Sequence, residues 1–207
     1  MNNQIKTLTK TIAVLFSISL IMGLSILSST AHADANGKLV AVIETSMGNI
    51  TVELNPEKAP KSVANFVQYA NNGFYNGTIF HRVIEDFMIQ GGGFSILESG
   101  KFEKKQTREA IKNEADNGLA NDLGTIAMAR TNNPNSATAQ FFFNVKNNSF
   151  LNHSSKTNRG WGYAVFGKVS AGMDVINKIR FTETGAVKPF SKDVPLKPIT
   201  INNITIK

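Results

Sequence analysis

The sequence contains no cysteine, and only three of its 207 residues are histidine. The absence of cysteine excludes disulfide bonds, thiolate metal sites and a cysteine nucleophile. Acidic residues are fewer than basic ones. The sequence has 15 Asp and Glu and 22 Lys and Arg, which gives a formal net charge of +7. The basic residues are scattered and form no long run, which is typical of a solvated basic surface rather than a nucleic-acid-binding stripe. We therefore expect no nucleic acid among the partners.

The sequence does contain enough apolar residues for one folded domain. Hydrophobic residues make up 42% of the chain and charged residues 18%. This is the composition of a globular chain that buries its own core, and it excludes collagen-like and disordered classes. At this length we expect a single domain of ordinary size.

The first 33 residues have the three parts of a secretory signal peptide. Lys6 and Lys10 form a basic start, residues 11–29 are an apolar run, and Ala31–Ala33 has the small-x-small pattern of a cleavage site. A run of this length is also just enough to cross a bilayer, so a retained membrane anchor is the alternative. We expect cleavage after this site, one domain over residues 34–207, periplasmic localisation and no stable membrane insertion.

Hydrophobic periodicity predicts a mostly β fold with two helices. Helical spacing occurs over Pro60–Asn72 and Met173–Ile179. Alternating or β-branched runs predict strands over Lys38–Glu44, Asn49–Leu54, Thr78–Ile84, Phe87–Gln90, Thr125–Ala129, Gln140–Val145, Tyr163–Val169 and Ile199–Ile206. These elements do not alternate as β-α-β units, so we expect an antiparallel sheet, closed or folded over, with helices covering its open ends.

Two segments between the predicted strands are expected to be irregular. Gly91–Gly93 reads as a turn that stops the strand before it, since it lacks the pattern of a phosphate-binding loop. Residues 94–122 are polar and weakly periodic, and we expect a long loop there with at most one helical turn.

Few residues offer chemistry of their own. No Gly-x-Ser-x-Gly motif occurs, and His81 and His153 are far apart without ligand-like spacing. We therefore expect neither a metal nor a cofactor. Arg82 is unusual, because strand alternation places it on one face with Phe80 and Ile84. An arginine in a row of apolar side chains requires a partner or a function.

Several motifs, taken in order, resemble one known family. They read FHRVI at residues 80–84, DFMIQGG at 86–92, GTIAMA at 124–129, QFF at 140–142, FL at 150–151 and VFGKV at 165–169. In this combination they resemble the cyclophilin type of peptidyl-prolyl cis-trans isomerase, from about residue 39 to the C-terminus. With the signal-like start, the chain is similar to the periplasmic bacterial cyclophilins.

The resemblance implies a fold and an activity. The fold would be a closed eight-stranded antiparallel β-barrel capped by two α-helices. The activity would be isomerisation of X–Pro bonds in proline-containing polypeptides, assisting the folding of exported proteins, by a monomer without a cofactor. A non-catalytic proline-peptide-binding chaperone is the alternative, which retention of the arginine disfavours. A basic nucleic-acid or envelope-surface binder is a third possibility, resting on net charge alone.

The resemblance also implies roles for individual residues. Arg82 corresponds to the catalytic arginine. The implied substrate-binding residues are Phe87, Met88, Gln90, Ala129, Arg130, Thr131, Gln140, Phe142, Phe150, Leu151 and Tyr163. The proline pocket would be lined by Phe87, Met88, Phe142 and Leu151. The peptide would accept or donate hydrogen bonds with Gln90 and Gln140.

Some of these positions depart from the eukaryotic members. Arg130 and Thr131 replace the common Asn and Ala, and Tyr163 replaces a histidine after a longer insertion over residues 152–162, which holds the sole tryptophan, Trp161. Phe150 stands where many of those members have tryptophan. Because phenylalanine has no N–H to donate, we expect weak inhibition by cyclosporin.

Overall fold

Residues 37–207 are described by a computed structural model, and the expected signal peptide, residues 1–33, lies outside them. Within this part of the chain there are eleven strands, two α-helices and one 3-10 helix. The helices are α1 (Pro60–Asn71), α2 (Met173–Arg180) and the 3-10 helix Ser149–Leu151. The strands are β1 (Val40–Thr45), β2 (Gly48–Leu54), β3 (Thr78–Ile84), β4 (Met88–Ile96), β5 (Phe102–Lys104), β6 (Thr125–Met128), β7 (Phe141–Asn144), β8 (Val165–Ala171), β9 (Thr184–Val187), β10 (Phe190–Pro195) and β11 (Thr200–Ile206).

Eight strands of residues 37–207 close into an antiparallel barrel, as predicted. Their order is β3-β11-β1-β2-β8-β6-β7-β4, and the pairing of β3 with β4 closes the ring. Strand β5 pairs with the far end of β4, and β9 with β10 forms a separate hairpin. No helix of residues 37–207 has both the length and the apolar character needed to cross a membrane.

Strand alternation separates the barrel interior from its outer surface. In β7, Phe141 and Phe143 are fully buried in the main core, whereas Phe142 between them belongs to a second apolar cluster. Both helices pack on the main core through the apolar residues Val63, Phe66, Tyr69, Ala70, Val175, Ile176 and Ile179. The second cluster therefore lies on the outside of the barrel wall.

The expectation that Gly91–Gly93 stops a strand is wrong, because β4 continues through these glycines to Ile96. A Cβ atom at Gly91 would stand 2.7 Å from the Phe80 ring, and one at Gly93 would stand 2.5 Å from Cγ of Gln140. The glycines are required by close packing inside a strand, not by a turn. The expected loop over residues 94–122 is interrupted as well, since it contains the end of β4 and all of β5.

The prediction that Phe80 and Arg82 share one strand face is also wrong. Phe80 pairs with Gly91 and Arg82 pairs with the adjacent Gln90, so His81 is the extra residue of a β-bulge. Phe80 packs in the main core, whereas Ile84 packs against the outer cluster. The bulge shifts the alternation by one residue and thereby turns Arg82 out of the core.

Candidate active site

A cavity of about 110 Å³ lies on the outer face of the barrel beside β3, β4, β6 and β7. It is lined by Arg82, Phe87, Met88, Gln90, Ala129, Arg130, Phe142, Leu151 and Tyr163. Every one of these residues was among the predicted site residues. The other three predicted residues, Thr131, Gln140 and Phe150, do not line the cavity.

The floor and one wall of the cavity are apolar. Met88, Phe142 and Leu151 are buried and form the second cluster with smaller neighbours on β6 and β8. The Phe142 ring meets the Tyr163 ring edge-on, with centroids 5.7 Å apart. This surface can accept a small apolar ring while excluding water from it.

Phe150 extends the apolar wall at the rim of the cavity. It lies in the 3-10 helix and is 73% exposed. Its ring stacks on that of Phe87, with centroids 5.6 Å apart. Because Phe87 lines the cavity, the stacked pair offers a continuous apolar surface leading out of it.

Arg82 makes one edge of the cavity cationic. The Arg82 side chain is 42% exposed, and its Nε lies 3.6 Å from Oδ2 of Asp193. The neighbouring His81 is buried, and this burial lowers the pKa of His81 to about 4. His81 is therefore neutral at pH 7, and the positive charge at this edge belongs to Arg82.

The two glutamines form a polar rim. Nε2 of Gln90 donates a hydrogen bond to Oε1 of Gln140 at 2.9 Å. The main-chain N–H of Ala129 donates to the Gln140 carbonyl at 3.0 Å, which joins β6 to the rim. The glutamines thus orient each other beside the apolar wall.

Arg130 connects the insertion over residues 152–162 to the cavity. Its Nε donates to the Gly162 carbonyl at 2.8 Å, and its Nη2 donates to the Asn158 carbonyl at 3.1 Å. Its guanidinium also lies over the Tyr163 ring, 4.6 Å from the centroid. Thr131 turns away, because its N–H and hydroxyl both bind the Ser136 hydroxyl. The side chain of Arg130 therefore ties the insertion to Tyr163, which lines the cavity.

Three buried asparagines, which sequence reasoning missed, hold the main chain behind the cavity. Asn144 donates to Oδ1 of Asn121 at 3.1 Å, and Asn148 donates to Oδ1 of Asn144 at 2.8 Å. Asn121 and Asn148 also donate to the main-chain carbonyls of three pocket residues, Leu151, Tyr163 and Phe87. The position of Asn144 at the end of an apolar strand is a sign of this role in the sequence. It does not stand out, because the chain contains many asparagines.

No cluster of three or more histidine, aspartate or glutamate side chains in residues 37–207 is arranged to hold a metal ion. The polar groups at the cavity are hydrogen-bond donors and acceptors attached to a rigid barrel. The arrangement can grip an apolar ring and present a fixed positive charge beside it. It offers no group placed for nucleophilic attack.

Comparison with known proteins points to one family. A family model described as "Cyclophilin type peptidyl-prolyl cis-trans isomerase/CLD" matches residues 40–206. The chain is 56% identical to Peptidyl-prolyl cis-trans isomerase cyp18 of Streptomyces antibioticus, over 79% of this chain and 96% of that protein. It is 51% identical to Peptidyl-prolyl cis-trans isomerase A of Dickeya dadantii, over 88% and 93% of the two chains. It is 50% identical to a peptidyl-prolyl cis-trans isomerase of Acinetobacter baylyi, over 92% and 95%.

Solved structures agree with the sequence comparisons. A crystal structure of a Cryptosporidium parvum cyclophilin type peptidyl-prolyl cis-trans isomerase, in the presence of the dipeptide Ala-Pro, is similar with a TM-score of 0.64. The two chains are 27% identical, and the match covers 81% of this chain and 98% of the other.

Proposed function

This chain belongs to the cyclophilin-type peptidyl-prolyl cis-trans isomerase family, and on that premise we propose that Arg82 is its catalytic residue and that exported polypeptides are its substrates. Catalysis here means rotation about the amide bond that precedes proline. No covalent bond is made or broken, so the site has to recognise a twisted bond rather than attack it.

The barrier to this rotation is the resonance of the amide. It amounts to about 18–20 kcal/mol, and uncatalysed exchange takes roughly tens to hundreds of seconds. In the twisted transition state the prolyl nitrogen regains a lone pair, which can accept a hydrogen bond. A fixed donor beside that nitrogen therefore binds the transition state better than the planar ground state.

One observation carries the proposal: the cavity joins an apolar wall to a cationic edge. The wall of Met88, Phe142 and Leu151 would hold the pyrrolidine ring, and Arg82 would reach the prolyl nitrogen from the cationic edge. A guanidinium keeps its charge and has several donors, so it can also hold the substrate carbonyl. The similarity to a structure solved in the presence of Ala-Pro supports a proline residue as the occupant.

Substitution of Arg82 tests the catalytic role. In an isomerisation assay on a short X-Pro peptide, Arg82→Ala should lower kcat/KM by about tenfold or more while the protein stays folded. Arg82→Lys should not fully restore it, because a point charge lacks the fork of donors. Arg180→Ala serves as the control, since Arg180 lies on α2 and does not line the cavity.

The outcomes of this assay separate the candidate roles. Wild-type turnover by a folded Arg82→Ala protein would exclude the electrostatic mechanism. Peptide binding without any acceleration by the unmodified protein would favour the chaperone that only holds proline segments.

The exported role rests on the beginning of the sequence. Residues 1–36 are more than a sixth of the chain, so the Acinetobacter baylyi match over 92% of it includes part of them. The basic start, the apolar run and Ala31–Ala33 of this sequence support a signal peptide and a periplasmic location. N-terminal sequencing of the protein from its native host should find Asp34 first. An intact chain in the membrane fraction would identify an anchor instead.

A further inference from the structure

The β9–β10 hairpin brings an acidic side chain to the arginine of the cavity. Oδ2 of Asp193 on β10 lies 3.6 Å from Nε of Arg82, and the Asp193 side chain is only 21% exposed. Within residues 37–207, Asp193 is the only acidic residue that pairs with Arg82. Asp193 itself does not line the cavity, so its contact with the site is through Arg82.

An aromatic cluster anchors this hairpin to the barrel. The ring of Phe190, at the start of β10, stacks on the His81 ring with centroids 5.4 Å apart. It also contacts the rings of Phe94, at 5.0 Å, and Phe102, at 5.6 Å. Since His81 precedes Arg82 in the chain, the anchor lies next to the ion pair.

The backbone of β10 is shaped to present Asp193. The register of the hairpin shifts between Phe190 and Val194, which marks an irregularity around Asp193. Asp193 itself has φ of 65°, and it is the only residue other than glycine with a positive φ in residues 37–207. Aspartate adopts this conformation more readily than most residues, but it is still uncommon. An uncommon backbone conformation and an anchored hairpin together direct one carboxylate to Arg82.

We propose that Asp193 is a positioning residue for Arg82, which rests on the catalytic role proposed above. The carboxylate holds the Nε side of the guanidinium and leaves the two Nη groups for the substrate. A free arginine side chain samples many rotamers, and each turnover would have to order it again. Fixing one side of the planar group keeps the donors aligned for the twisted amide.

The first test removes the charge of the Asp193 side chain and keeps its shape. Asp193→Asn should lower kcat by about three- to tenfold, the size that a solvent-accessible ion pair can supply, with KM changed less than about twofold. Asp193→Glu should recover only part of the loss, because it restores the carboxylate but adopts the positive φ of residue 193 less readily than aspartate. Asp174→Asn is the matched control, since Asp174 pairs with Lys178 at 3.4 Å on the exposed face of α2. This control should retain full activity.

A second test separates positioning from a structural role of the hairpin. In an Arg82→Lys background, Asp193→Asn should cost less than about twofold, because the group that it positions is gone. In ¹H–¹⁵N spectra, the Arg82 Nε–H signal should move or broaden in Asp193→Asn and stay in place in Asp174→Asn.

Unchanged kcat in Asp193→Asn would overturn the proposal, and so would an equal loss in the Arg82→Lys background. The spectra do not depend on turnover, so they still report whether Asp193 holds Arg82 if Arg82→Ala proves fully active. Full activity of Arg82→Ala would by itself reject the catalytic role of Arg82.

Discussion

Phe150 is the residue at which this site differs most visibly from the eukaryotic pattern that the sequence resembles. It is 73% exposed and stacks on Phe87, so a tryptophan ring has room there. Phe150→Trp should tighten inhibition by cyclosporin by about ten- to a hundredfold, because the indole N–H can bind a carbonyl that is otherwise buried without a partner.

Inhibitor titration in the peptide assay checks this expectation. Turnover of short peptides should stay within about threefold, because they bury less surface beside the rim. Phe181→Trp is the control, since Phe181 is also exposed, at 58%, but it follows α2 instead of stacking on Phe87 at the rim of the cavity. Tight inhibition of the unmodified protein would show that Phe150 does not limit binding of the drug.

At the scale of single residues, the family resemblance named the residues that line the cavity, but neither it nor local patterns named the residues that support them. Alternation in β7 is enough to place Phe142 opposite to its two neighbours. The role of Arg82 is implied by the resemblance. Strand alternation does not give it, because the bulge at His81 breaks the alternation between Phe80 and Arg82. Asp193 could not be found, because its contact with Arg82 joins residues more than a hundred positions apart.

Among the elements, helix α1 shows how a distant loop completes local structure. The residue before it, Ala59, provides no side-chain acceptor for the first N–H groups. Glu114 does so instead, since its carboxylate accepts hydrogen bonds from Lys61 N at 3.0 Å and from Ser62 N and Oγ at 2.8 Å. A negative charge also interacts favourably with the N-terminal end of a helix.

Replacing this distant cap should destabilise the protein measurably. Glu114→Ala should reduce the free energy of unfolding by about 1–2 kcal/mol, because the two partly buried donors of Ser62 and the exposed N–H of Lys61 lose their acceptor. Urea unfolding measures this, with Glu109→Ala as the control, an exposed glutamate in the same segment. Equal midpoints for the two variants would show that the helix does not need the carboxylate.

Strand boundaries were harder to predict than strand identities. Glycine usually marks a turn, yet Gly91 and Gly93 lie within β4 because Phe80 and Gln140 occupy the space of their missing side chains. The β9–β10 hairpin lacks clear alternation and is held by Phe190 in an aromatic cluster. Such packing depends on neighbours that only the folded chain brings together.

For the whole molecule, periodicity alone predicted an antiparallel sheet that is closed or folded over, and the resemblance chose the closed barrel. Closure depends on pairs such as β1 with β11, which join the two ends of residues 37–207. No local signal encodes such a pairing. Stability of the whole barrel therefore responds to groups buried where distant elements meet.

His81 is such a group, and it should make the stability of the protein depend on pH. It is buried between Phe94 and Phe190, and this burial lowers its pKa from 6.5 to about 4. The nearby positive charge of Arg82 lowers this pKa further. Between these two values the unfolded chain binds the proton and the folded chain does not, so acid favours unfolding.

Urea unfolding should show this loss as the pH falls below 7. From pH 7 to pH 5, the free energy of unfolding should fall by about 2 kcal/mol through His81 alone, and the loss should level off below about pH 4. His81→Phe should keep the ring packing and remove this part of the slope, since phenylalanine does not titrate. The imidazole signals of His81 in NMR spectra should stay those of the neutral ring at pH 5 and above. An NMR titration midpoint near pH 6.5, or an unchanged pH dependence of unfolding in His81→Phe, would show that folding does not lower the pKa of His81.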